Sequence, residues 1–392
     1  MTEEDKIHYF DWAATSPSDS DILHKALDET ITVWGNPSSI HRAGAEAKEA
    51  LNKARERCAA VLGVKAEKLV FTSGGTESDH IPLLAMLERP APGTILISAL
   101  EHPALREQAA AMAHCGWNIV TIPSDADGFI TPEAVLDHLT DDTVLVCVMA
   151  VNNETGAVQP FYKISDALTS ACKGKRRPKF HVDCVQAAGK IPLNLSYQGI
   201  DSAAFSAHKI CGPRGIGLLY LKDDITPFLR GGGQEKNIRS GTENLFGATA
   251  FSYCLERYFI TAKNPQTEGR FKEQKIWAAD FIRSIAALKN CTIIPHSRLH
   301  TAEEFSPWVI QASFAGIPGQ VMVRALSAKG YFISTGSACS AKKQSRPILE
   351  AMHIQEAERE TAVRFSFGPH TTQQAINDLA AAVAEVCSTF CH

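Results

Sequence analysis

Two kinds of segment alternate along the chain. The first is a short, near-continuous apolar run: Lys68-Leu69-Val70-Phe71-Thr72, Thr94-Ile95-Leu96-Ile97-Ser98, Thr143 to Ala150, and Phe180-His181-Val182-Asp183. These runs lack the alternating polar position of a half-exposed strand, so they predict strands buried on both faces of a mostly parallel sheet. The second kind carries apolar residues at helical spacing. One such helix is predicted from about His41 to Leu62, with capping residues in Gly35-Asn36-Pro37-Ser38-Ser39 and a stop near Gly63. Another long helical stretch runs from about Leu245 to Leu288, broken at Asn264-Pro265. Gln311–Phe314 and Val363–Phe367 read as two further strands. The alternation predicts an α/β fold with helices covering a parallel sheet, and ligands in such folds gather at the carboxyl ends of the strands. His102, Asn153, Asp183 and Lys209 all fall just past strand-like runs.

Composition narrows the class. A length of 392 residues exceeds what one core usually serves and predicts two domains. A net charge of −4 leaves no basic footprint for nucleic acid or an anionic membrane. No apolar run reaches the roughly 18–20 residues of a membrane span. The acidic start Met1-Thr2-Glu3-Glu4-Asp5 fits neither a signal nor a transit peptide, so a cytoplasmic location is expected. Eleven cysteines at irregular spacing, without Cys-x-x-Cys, do not form a disulfide framework, and most read as small buried hydrophobes. Cys387, Cys391 and His392 read as a helix end rather than a metal site, and no structural zinc is expected. Cys339 differs. It lies in Gly336-Ser337-Ala338-Cys339-Ser340-Ala341-Lys342-Lys343, a small, polar and basic stretch that reads as a mobile exposed loop whose cations favour thiolate.

Candidate chemistry enters through four features. Ser73-Gly74-Gly75-Thr76 follows a strand and opens a helix, an arrangement that aims backbone N–H groups at a phosphate, although a plain capped helix would look the same. Asp183 is costly to bury without a cation, and a protonated pyridine nitrogen is one such partner; a helix cap is the other reading. Gln186 follows at a distance suited to a ring oxygen. Lys209, after His208 in an apolar, glycine-bounded stretch, is suited to hold an aldehyde cofactor as a Schiff base, the alternative being a surface lysine on a Gly/Pro turn. Taken together with His102, these residues point to a carbonyl cofactor.

The same stretches carry a family resemblance. Glu101-His102-Pro103, Asn152-Asn153-Glu154-Thr155-Gly156, His181-Val182-Asp183 with Gln186-Ala187-Ala188-Gly189-Lys190, and Ser206-Ala207-His208-Lys209 with Gly212-Pro213 resemble the cysteine desulfurases of the NifS/IscS type. So do Gly231-Gly232-Gly233-Gln234-Glu235, Arg239-Ser240-Gly241-Thr242-Glu243-Asn244 and Ser334-Thr335-Gly336-Ser337-Ala338-Cys339-Ser340. The resemblance runs from about Tyr9 to Thr372. It implies an α/β, fold-type I pyridoxal 5′-phosphate-dependent transferase of the class-V aminotransferase kind. Its large domain, residues 16–257, would hold a mostly parallel seven-stranded sheet. A smaller α/β domain of residues 1–15 and 258–392 would carry the cysteine loop.

The resemblance also implies roles. Lys209 would hold the cofactor and shuttle protons, and His102 would stack on its ring and assist. Asp183 would pair with the ring nitrogen and Gln186 with the ring hydroxyl oxygen. Gly75, Thr76, Ser206 and His208 would hold the phosphate, with Thr242 supplied by the second subunit of a homodimer. Asn153 and Arg364 would bind the carboxylate of L-cysteine. Cys339 would take the sulfur as a persulfide, leaving alanine, and pass it to an acceptor or iron–sulfur scaffold protein. A selenocysteine lyase, an aminotransferase of the same fold and a non-catalytic cofactor-binding scaffold are the rival readings. Two departures stand out: Gly368-Pro369-His370 where the family commonly has an arginine after the glycine, and Cys211 where an aromatic is usual. Both are expected to affect the substrate mouth.

Overall fold

The computed structural model describes residues 7–261, 264–336 and 346–390. Among the described residues, strands β1 (Leu69–Thr72), β2 (Thr94–Ser98), β3 (Asn118–Ile122), β4 (Thr143–Cys147), β5 (Lys179–Asp183), β6 (Ser202–Ser206) and β7 (Gly217–Leu221) form one seven-stranded sheet. Their order is β1-β7-β6-β5-β4-β2-β3. The neighbours from β6 through β3 run parallel, and β7 alone is reversed, antiparallel to both β1 and β6. Strands β1, β2, β4, β6 and β7 are buried along their whole length, which is why each reads as an apolar run.

Side chains alternate between two cores, as the strand period requires. Phe71, Leu96 and Val146 pack with Leu51, Cys58 and Leu62 of the helix Arg42–Leu62 and with Phe251 and Leu255 of the helix Leu245–Tyr258. Ile95, Ile97 and Leu145 face the other way, against Leu83, Leu105 and Met112. The helix Arg42–Leu62 ends at Gly63 in the left-handed conformation (φ 69°), where glycine carries no Cβ penalty. Gly217 meets a different demand: a Cβ there would lie 2.6 Å from the Gly74 carbonyl carbon, so only glycine lets β7 pass under the turn that follows β1.

A second, antiparallel sheet has the order β10-β9-β8, with β8 (Cys291–Ile294), β9 (Val309–Phe314) and β10 (Ala362–Ser366). The helices Pro265–Ala286 and Gln373–Phe390 cover it through Phe281, Ile285, Leu379 and Val383. Phe10 belongs to this core, and Asp11 bridges to Ser366, so the N-terminal segment is joined to the smaller sheet. From there it crosses to the larger one. Ser16 Oγ donates to His208 O at 2.8 Å, which places Ala13 and Ala14 between the two sheets.

Candidate active site

The carboxyl ends of β1, β2, β4, β5 and β6 open on one cavity of about 310 Å³. Lys209, His102, Gly75, Thr76, Asp183, Gln186, Ser206, His208, Asn153 and Arg364 all line it. Thr242 is exposed and lies outside it. Cys339 lies outside the described residues, but the chain enters that stretch from Gly336 and leaves it just before Pro347, and both line the cavity.

Each side chain is placed by the element it terminates. Gly75 opens the helix Gly75–Ala85 directly after β1, with Thr72 Oγ1 and Ser78 Oγ bonded at 2.7 Å across the turn. A Cβ on Gly75 would lie 2.8 Å from Val185 Cγ2, so the helix start lies close against the turn after β5. His102 caps the helix Pro103–Ala113 by accepting from Ala104 N through Nδ1 at 3.2 Å, which leaves the proton on Nε2. Asn153 sits in a turn shaped by Asn152, whose Oδ1 accepts from the amides of Glu154 and Thr155. Buried Arg298 fastens that turn to β9, donating to the carbonyls of Thr155 (2.6 Å), Val309 (2.6 Å) and Ser306 (2.8 Å). Asp183 closes β5, its Oδ1 accepting from Val185 N at 2.8 Å. Lys209 ends the short turn Ala207–Lys209 that follows β6, and its Nζ donates to Ala13 O (2.6 Å) and Ala14 O (2.7 Å). Arg364 reaches across from β10. Its Nη1 donates to Asn153 O (2.9 Å) and Gly336 O (2.7 Å), and its Nη2 to Asp11 Oδ1 (2.7 Å).

Burial dominates the electrostatics. Asp183 is pushed up to about 8, first by burial and then by nearby Asp79. Glu101 is likewise pushed up to about 8 by burial. Its Oε1 accepts from Ser98 Oγ and Met149 N, while Oε2 has no hydrogen-bond partner among the described residues. Burial raises Asp79 well above the carboxylate range and lowers His181 to about 4. The two meet at 3.1 Å, and burial disfavours the charged form of each. His102 and His208 are both held down to about 4 by burial, with the Lys209 charge adding to it. The cavity is thus lined by three buried carboxyls, two imidazoles whose protonation burial disfavours, and a lysine.

Asp79, Glu101, Arg106 and the Ala13–Ala14 carbonyls also belong to the site, and the sequence reading did not single them out. Glu101 had a signal, since it directly precedes His102. Asp79 had little, because a carboxylate in the first turns of a helix reads as a solvated position until a neighbouring strand brings His181 to it.

The two departures lie elsewhere than expected. Cys211, Pro369 and His370 do not line the main cavity. Pro369 and His370 line a second cavity of about 220 Å³ with Lys190, Tyr258 and Lys209. Cys211 is fully buried in the left-handed conformation (φ 63°), its N–H donating to Ser16 Oγ at 2.7 Å. Cys211 thus packs in the interior rather than at the main cavity, while Pro369 and His370 meet Lys209 only at the second cavity.

Comparison with known proteins agrees with this geometry. The aminotransferase class-V family matches residues 8–379. The cysteine desulfurase IscS of Dictyoglomus turgidum is 32% identical over 374 residues, covering 94% of this chain and 91% of that protein. A putative cysteine desulfurase, IscS 1 of Bacillus subtilis, is 32% identical over 384 residues, covering 96% and 98%. Among solved structures, a NifS-like protein matches with a TM-score of 0.87 at 30% identity, covering 97% of this chain and 99% of that one. SspA in complex with cysteine matches with a TM-score of 0.77 at 25% identity, covering 93% and 100%. With both sheets and every lining residue of the main cavity inside the matched span, the chain belongs to the class-V aminotransferase family.

Proposed function

We propose that this chain is a pyridoxal 5′-phosphate-dependent cysteine desulfurase, which converts L-cysteine to L-alanine and keeps the sulfur as a persulfide on Cys339. The observation that carries the reading is the convergence of Lys209, His102, Asp183 and Gln186 with Asn153 and Arg364 on one cavity. The names of the relatives, over nearly the whole chain, support it.

The residues fit the cofactor. Asp183 is a buried carboxyl whose Oδ1 is held by a backbone amide and whose neighbours are other acids, an arrangement that a protonated ring nitrogen relieves. The helix start at Gly75, with Thr76, Ser206 and His208 beside it, supplies amide and hydroxyl donors for a phosphate. When bound, pyridoxal phosphate supplies an electron sink for charge generated at the substrate α-carbon.

The chain's own groups do the rest. Lys209 would exchange its contacts with the Ala13 and Ala14 carbonyls for the cofactor aldehyde, then move a proton from the substrate α-carbon. Neutral His102, with Nε2 free to donate, would stand over the ring and pass protons. Gln186 would donate to the ring oxygen. Arg364 would turn part of its guanidinium from Asp11 toward the substrate carboxylate, whose planar geometry it matches, with Asn153 as the second donor. Cys339 thiolate would attack the substrate sulfur, forming the S–S bond as the carbon–sulfur bond breaks toward carbon, which takes up a proton.

The proposal includes the finer organisation. Residues 16–257 form the cofactor-holding unit, and residues 1–15 with 258–392 form the smaller one, a division supported by the two separate sheets and by the core under the smaller sheet, although Ile348, Leu349 and Met352 pack into the larger core. The enzyme works as a homodimer with Thr242 completing the partner's phosphate site, passes sulfur to an acceptor or iron–sulfur scaffold protein, and resides in the cytoplasm. Among the described residues no helix is long and apolar enough to cross a membrane. The test is sulfur delivery from L-cysteine to a thiol acceptor. Cys339→Ala is expected to abolish it, and delivery by that variant at the wild-type rate contradicts the proposal.

A further inference from the structure

Lys190 is a buried lysine that the proposed chemistry leaves unused. It lies one turn beyond Gln186, with 6% of its surface exposed. Its Nζ donates to Gln186 Oε1 at 2.5 Å. The nitrogen of the same amide, Nε2, donates to Ala13 O at 2.8 Å, the carbonyl that Lys209 Nζ also reaches. Trp308 Nε1 donates to Lys190 O at 2.8 Å and fixes the backbone of the turn.

A glutamine amide has a donor end and an acceptor end, and sterics alone do not choose between them. Here the choice is made from both sides. Turned over, the amide would set its oxygen against Ala13 O and its NH2 against the Lys190 Nζ. Held as it is, Nε2 keeps a second N–H for the main cavity, which Gln186 lines and Lys190 does not. Lys190 borders the second cavity instead, so its hydrogen-bonding influence on the first runs through the amide.

We propose that Lys190 is a positioning residue for the cofactor: by donating to Gln186 Oε1 it keeps the Gln186 N–H directed at the cofactor's ring oxygen, and it stabilises negative charge there. The proposal rests on the cofactor reading of this cavity. The charged and titratable groups acting on Lys190 are Lys209, Arg364 and Cys211, with Arg257, Tyr258, Arg270 and His370 around the second cavity. Burial, then Lys209 and Arg364, hold its ammonium down to about 7. It remains a donor to Gln186 in either protonation state.

The experiment is a pH titration of the absorbance of the cofactor bound to Lys209, in the full-length loaded protein. Losing a donor and a positive neighbour lets the nitrogen joining Lys209 to the cofactor keep its proton to higher pH. Lys190→Met is therefore expected to raise the midpoint by about one unit. Gln186→Leu, with Lys190 intact, should raise it similarly, and adding Lys190→Met to Gln186→Leu should raise it by much less than Lys190→Met does alone, because only the direct charge effect of Lys190 on Lys209 is left. An unchanged midpoint in Lys190→Met, or equal shifts from it with and without Gln186, overturns the proposal. Should Lys190→Met fail to fold, an unchanged midpoint in Gln186→Leu overturns it alone. Wild-type protein that takes up no cofactor overturns the cofactor reading as well, whereas a loaded protein with unmoved midpoints overturns only the role of Lys190.

Discussion

Asp183, Glu101 and Asp79 are three buried acids lining one cavity, and burial favours the protonated form of each. A raised folded-state pKa contributes stability that is fully present below the ordinary carboxylate range and is lost as pH rises through the folded value. For Asp183 that window runs from its ordinary 3.8 to about 8. The buried histidines act in the opposite sense. His102 and His208, lowered from 6.5 to about 4, contribute stability above pH 6.5 that is lost as pH falls through 4. The unloaded protein is therefore expected to melt at lower temperature on both sides of an intermediate pH. Asp183→Asn should raise its melting temperature at pH 9 relative to wild type, while weakening cofactor retention at least tenfold because the ring nitrogen loses its counter-charge. Thermal melts across pH and cofactor titrations check this. Equal alkaline melting of the two proteins would show that Asp183 is not a buried neutral acid.

At the scale of elements, the turn Asn152–Gly156 depends on a residue remote in sequence. Arg298 supplies donors to three carbonyls with no water-exposed alternative, and Arg298→Met leaves them unpaired. Such losses cost about 3–5 kcal/mol. Urea unfolding should show that loss, and the surviving protein should show a raised KM for L-cysteine, since Asn153 loses its support; unchanged stability would mean that the turn is held otherwise. Elements were legible where one physical signal dominated. β2 matches its apolar run residue for residue, and the break at Asn264-Pro265 is the observed start of the helix Pro265–Ala286, capped by Asn264. The apolar run from Thr143 overshoots: β4 stops at Cys147, because Val148–Ala150 stay buried while the chain turns toward the cavity. β3 lies at the sheet edge, mixing exposed and buried positions, and left no clear pattern. The site was legible in Lys209, His102 and Asp183 because each closes or follows a strand-like run. Asp79 and Glu101 were not singled out, because their partners His181 and Met149 lie 102 and 48 residues away, and Lys190 was not, because spacing does not reveal its burial.

For the whole molecule, the N-terminal segment joins the smaller sheet to the cofactor cavity, and Arg364 reaches that cavity from β10. Residues lining the cavity thus come from both sheets, and the proposed dimer adds Thr242 from a second chain. Exposed Thr242, outside its own chain's main cavity, accords with that arrangement. Mixing inactive Lys209→Ala with Thr242→Ala should restore activity, because each mixed dimer holds one site with both native residues. Random mixing predicts about a quarter of wild-type activity. Activity no higher than the mean of the two variants would place Thr242 outside the partner's site.

The most direct measurement is one turnover of the cofactor-loaded protein with L-cysteine, followed by intact-mass and peptide mass analysis. One added sulfur on the peptide containing Cys339, matched by one equivalent of alanine, is the predicted result. Alanine formed without sulfur on Cys339 would contradict the assigned acceptor, and no alanine at all would contradict the desulfurase itself.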